Sequence, residues 1–211
     1  MNVNLHVLDA RGTMSAVRGR VEAAFLDSVQ RVALLLPIAN IDVVVSCSDF
    51  VVPETGLGGY CPSADVLYIW IDPENPNLLL NFDTEFLATL GHELHHCMRQ
   101  GGPGYGRTLG EALVSEGLAC HFETELRGGA SPFYARALDA SSLTALRERA
   151  HAERNSSYKH RAWFFGSTSE GIPMYAGYSV GFSIVAHYID RHGIPASRLW
   201  NAPSDAFYLA S

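Results

Sequence analysis

Apolar and polar positions alternate from Val3 to Leu8, which predicts a first strand with Val3, Leu5 and Val7 on one side. From Ser15 to Leu36 the spacing changes to that of a helix: Val17, Val21, Ala24, Phe25, Val29, Val32, Leu35 and Leu36 recur until Pro37 stops the run. Ile41–Cys47 is short and β-branched and predicts a central strand. Residues 53–62 read as a loop in which Gly56, Gly58 and Gly59 supply unusual backbone angles. Val66–Asp72 predicts a third strand. A helix is then expected from an Asn81 or Asp83 cap to about Gln100, and the glycine-rich linker 101–106 leads into another over about 109–126. Further helices are expected from Ser131-Pro132, over 141–155 with a charged face, and over 177–189. The pattern predicts an α+β fold: a small mixed or antiparallel sheet of three or four strands on the 82–100 helix, followed by a mainly helical half. At 211 residues a single domain is expected, residues 1–100 bearing the sheet and 101–211 being helical.

The wheel of the 82–100 helix carries the chemistry. Phe86, Leu87, Leu90, Leu94, Cys97 and Met98 cluster on one side, and His92 and His96 lie on the other with Glu85, Thr89 and Arg99. At about 100° per residue, His92 and His96 lie one turn apart on one face, so both imidazoles can reach one ion. Glu93 flanks that stripe. His92-Glu93-Leu94-His95-His96 is the H-E-x-x-H pattern of zinc-dependent hydrolases, in which the glutamate acts as general base. A third ligand is needed, and Glu116 offers one: on its helix it shares a face with Ala112, Ala119 and Cys120, small residues that let helices approach. A carboxylate on such a face must be paired, protonated or metal-bound. Glu111, His121 and Glu123 are the next third-ligand candidates, and Cys97 and Cys120 are alternative soft ligands, although Cys97 points to the core side.

Composition narrows the class. A net charge of −7 with no basic cluster argues against nucleic acid as a partner. No apolar run approaches the roughly 18–20 residues that span a bilayer, so no membrane partner is expected. Met1–Asp9 lacks the charged and apolar regions of a secretory leader, and Cys47, Cys61, Cys97 and Cys120 show no C-x-x-C spacing. A cytoplasmic protein with small buried thiols is the expectation.

With Ser115-Glu116-Gly117-Leu118-Ala119 downstream of the histidine motif, the chain resembles the gluzincin metallopeptidases, whose third ligand is a Glu on the following helix. Gly177-Tyr178-Ser179-Val180-Gly181-Phe182-Ser183-Ile184-Val185 makes it similar to the small predicted Zn-dependent proteases of the YjaZ type. The resemblance spans roughly residues 40–190. It implies a zincin-like fold, a Zn2+ cofactor held by His92, His96 and Glu116, and a peptide or protein substrate. It also implies a catalytic Glu93 and a tyrosine that donates to the tetrahedral intermediate, with Tyr178 first and Tyr175 second. Strand 66–72, just before the motif helix, would be the edge on which such enzymes align an extended peptide. One departure stands out: where thermolysin-like enzymes carry an Asp one turn after the ligand Glu, this chain has Cys120. The same residues would serve a zinc hydrolase of non-peptide amides or esters, or a peptidase-like binding module with little turnover.

Overall fold

A computed structural model describes residues 2–209. The chain divides into two compact units, residues 1–101 and 102–211. Its described residues form four strands and six α-helices of a mixed α+β fold.

The first unit holds β1 (Val3–Leu8), α1 (Arg18–Ala33), β2 (Ile41–Cys47), β3 (Leu57–Tyr60), β4 (Val66–Ile71) and α2 (Phe82–Gln100). The sheet order is β1-β2-β4-β3; β2 pairs in parallel with both β1 and β4, and β3 alone runs antiparallel. The sheet is therefore mixed but mainly parallel. The reason lies in α1: a sixteen-residue helix between β1 and β2 carries the chain back to the end where it started, so the second strand repeats the direction of the first. Ile41, Val43 and Val45 of β2 and Leu67, Ile69 and Ile71 of β4 alternate into the core, each buried side chain contributing about 1.5–3 kcal/mol. α1 packs on β1 and α2, while α2 packs on β3 and β4. On the other face Asn4 and His6 reach Asp42 across the β1/β2 pair at 3.0 and 2.9 Å.

Two expectations fail here. Residues 53–62 are not all loop, because Leu57–Tyr60 is a strand, and of its glycines only Gly56 has a positive φ, at +70°. Gly58 and Gly59 are needed for close approach instead: a Cβ on Gly58 would come within 2.8 Å of the Phe50 carbonyl oxygen. In consequence the 66–72 strand is not an edge. β4 is hydrogen-bonded on both sides, and β3 ends the sheet.

The second unit is helical: α3 (Leu109–Leu126), α4 (Ala140–Glu153), α5 (His160–Phe165) and α6 (Ala176–His192), with short 3-10 turns between and after them. The helix expected from Ser131-Pro132 is only the turn Phe133–Arg136. α3 begins with a capping box, in which Thr108 N–H donates to Glu111 Oε2 at 2.9 Å and the Thr108 hydroxyl accepts from Glu111 N–H. These backbone donors, Thr108 first and then Arg107, hold the Glu111 carboxyl below its ordinary range. Beyond its first turn α3 is buried nearly all round, and its main neighbour is α6. Gly117 and Gly181 make that contact possible: a Cβ on either would overlap a backbone carbonyl of the facing helix.

Candidate metal centre and general base

Helix α2 positions the motif within the first unit. Asp83 and Glu85 stand in its first turn and Arg99 in its last, each sign at the helix end it favours. His92 Nε2 and His96 Nε2 lie 3.0 Å apart, with the ring planes at 76°. Two donors on a tetrahedral zinc, each at about 2.0–2.1 Å, are about 3.3 Å from each other, so the pair is spaced within a few tenths of an ångström of what one ion requires. Two imidazole donors on one face suit zinc, as they also suit copper, iron or nickel. The motif face is not the polar surface that periodicity suggests. His92 is 8% exposed, His96 5% and Glu93 6%, and His95 and Arg99 are fully buried.

Glu93 has its place because β3 lacks a side chain beside it. A Cβ on Gly59 would come within 2.5 Å of Glu93 Cγ and Oε1. Extended backbone at Gly59 therefore lies directly against the carboxylate. For the general-base role that the sequence motif implies for Glu93, Gly59→Ala is expected to displace the carboxylate and lower hydrolysis about tenfold or more without change in zinc content, as checked by kcat/KM and elemental analysis side by side. Wild-type kcat/KM would show that the carboxylate has room to spare.

Cys97 turns to the core side of α2, its sulfur 2.9 Å from that of Cys61. The hydrogen bond with Cys61, then burial, pushes its thiol far above the ordinary value. Cys47 is the exposed cysteine.

In the second unit, Glu116 sits mid-way along α3 and is 5% exposed. Tyr105 donates its hydroxyl to Glu116 Oε1 at 2.6 Å, and the Ser115 hydroxyl donates to the Tyr105 carbonyl, also at 2.6 Å. Burial, then the Glu116 charge, pushes the Tyr105 phenol well above its ordinary pKa. Other third-ligand candidates have different engagements. Glu111 closes the capping box, and His121 stacks on Phe182 with its Nε2 2.9 Å from the Phe182 carbonyl. Glu123 accepts from Tyr134 and pairs with Arg127. Burial of Cys120, together with the Glu123 and Glu116 charges, pushes its thiol well up.

Tyr178, on α6, is half-buried among aromatic rings, 5.0 Å from Tyr134 and from Phe164 between centroids. Tyr175 stands just before α6 in a left-handed conformation, φ +65°. Trp163, Phe164 and Ile172 are buried and pack the unit. Sequence reasoning passed over Tyr105 as part of a glycine linker. The glycines on either side gave no sign of which way its ring turns; in the structure Gly104 and Gly106 both have positive φ.

No membrane-spanning helix occurs among the described residues. Neither the curated proteins nor the solved structures contain a match to this chain. A family model does match, over residues 24–208, and its description is "Predicted Zn-dependent protease (DUF2268)". That span takes in both units and every motif residue named above, and the chain belongs to this family of predicted Zn-dependent proteases.

Proposed function

We propose that the protein is a gluzincin-type zinc metallopeptidase with a zincin-like arrangement, in which His92, His96 and Glu116 hold the metal and Glu93 is the general base. The observation that carries this reading is the convergence of His92 Nε2 and His96 Nε2 beside a buried Glu93. Glu116 is supported by its burial mid-way along α3, while Glu111 is taken up by the capping box and His121 by the Phe182 carbonyl. Zinc bound there supplies a Lewis acid that polarises a carbonyl and acidifies water toward a pKa of about 7.

The chain's own groups do the rest. Glu93 takes the proton of the attacking water and returns it to the departing amine, so one carboxylate serves both halves of the reaction. Burial keeps bulk water from that carboxylate, and Gly59 leaves it space. β3 is the last strand of the sheet, its Leu57 end bridged to Val52 and its Gly59 beside Glu93, and an extended peptide would pair with it at the Gly59 end. The charge of −7 fits such a substrate better than nucleic acid, and the reading keeps the protein in the cytoplasm. Tyr178 is the candidate donor to the developing oxyanion; a Tyr178→Phe enzyme should lose kcat and keep KM, and an unchanged kcat would remove it from this role.

The test is metal content followed by substrate. Wild type should carry about one zinc per chain, and His92→Ala and Glu116→Ala, purified identically, should lose it. Zinc in Glu116→Ala equal to wild type would demand another third ligand. The zinc-loaded protein is then offered a peptide library alongside simple amides and esters. Cleavage confined to the amide and ester panel would sink the peptidase reading while leaving the metal centre intact.

A further inference from the structure

The loop before α3 is tied to two successive residues of that helix. Ser115 holds the backbone of Tyr105, and Glu116 accepts its phenol, both at 2.6 Å. Glycines on either side give the loop its path: Gly104 has φ +88° and Gly106 φ +118°, angles that other residues rarely adopt. A side chain on Gly106 would also collide with Glu111, which is itself fixed in the cap of α3. The loop is thereby registered to α3 at its cap and at Ser115, and the tyrosine reaches Glu116 from between these anchors.

We propose that Tyr105 is a positioning residue for Glu116: its phenol occupies Oε1 and directs the carboxylate to offer its other oxygen to the metal. The inference rests on the reading of Glu116 as a zinc ligand. A glutamate side chain has three rotatable bonds, and fixing them before the ion arrives removes an entropic cost from binding. In this chain the position one turn after Glu116 is Cys120, a buried thiol, and the hydrogen bond to the carboxylate comes from the preceding loop.

The experiment measures zinc dissociation constants by competition with a chromophoric chelator, and visible spectra of the cobalt-substituted proteins, for wild type, Tyr105→Phe and Glu116→Gln. Tyr105→Phe should bind zinc about 10–100-fold more weakly and show shifted cobalt bands, with a thermal midpoint of the metal-free protein close to wild type. A purely structural role for Tyr105 would move the metal-free midpoint and leave the cobalt bands alone, and that result overturns the proposal. Wild-type affinity and spectrum in Tyr105→Phe, with metal lost in Glu116→Gln, overturn it too while sparing Glu116 as a ligand. Wild-type affinity in Glu116→Gln removes the ligand reading itself. Should Tyr105→Phe not fold, Ser115→Ala unties the same loop with the phenol in place. Weaker zinc and shifted bands then support the proposal, and wild-type values of both refute it.

Discussion

Glu93→Gln is expected to retain its zinc and to lose about 10²–10⁴ in kcat, the range that a positioned general base supplies. The amide matches the carboxylate in size, so it fits against Gly59 where even one added methyl on the strand would not. It cannot accept a proton. At 1.36 kcal/mol per factor of ten, the loss corresponds to about 3–5 kcal/mol of transition-state stabilisation, with little change in substrate binding. The comparison is His92→Ala, which should lose metal and activity together. The two variants separate the roles of neighbouring residues: His92 offers its nitrogen toward His96, and Glu93 lies against the sheet's last strand. Activity assays and elemental analysis on the same preparations decide the matter. A fully active Glu93→Gln enzyme would remove this carboxylate from the mechanism.

The histidine pair was legible in the sequence because a helix converts a spacing of four into proximity without any help from the rest of the fold. β1 and β2, together with α3 from Leu109 to Leu126, were legible for similar reasons: alternation and β-branching act locally, and α3 runs from a capping threonine to the residues before Gly128. What covers each face was not legible. Periodicity set His92, His96 and Arg99 apart from the apolar stripe, yet all three are buried, since the wheel gives a direction and not a neighbour. β3 was hidden because Gly58 and Gly59 carry no side chains to alternate. Their reason for being there is the Phe50 backbone and Glu93, contacts distant along the chain. The parallel pairing of β1 and β2 could have been inferred from the helix between them, whereas Tyr105 needed coordinates to show which way a loop residue turns.

Gly181→Ala should destabilise the second unit by about 1–3 kcal/mol, against the ordinary rule that alanine improves a helix over glycine by about 1 kcal/mol. The contact decides the sign. A Cβ on Gly181 would overlap the Leu113 carbonyl, and one on Gly117 would overlap the carbonyl of Gly181. Both obstacles are backbone, so no change of rotamer relieves them, and α3 and α6 must separate and lose packing along their buried faces. At roughly 2–4 °C per kcal/mol for a chain of this size, thermal unfolding should show a clear drop. Gly19→Ala in α1 is the matched control: nothing lies within 4 Å of its Cβ position, so the same substitution should leave stability equal or raise it by up to about 1 kcal/mol. Gly117 directly follows Glu116, and a displaced α3 carries that carboxylate with it. On the proposed reading of Glu116 as a ligand, zinc affinity should therefore fall in Gly181→Ala as well, although residue 181 is not among the proposed ligands. The double variant with Gly117→Ala should cost less than the two losses added, because helices already separated by one methyl have room for the other. Strict additivity, or a Gly181→Ala protein as stable as the Gly19→Ala control, would mean that the two backbones do not lie in contact.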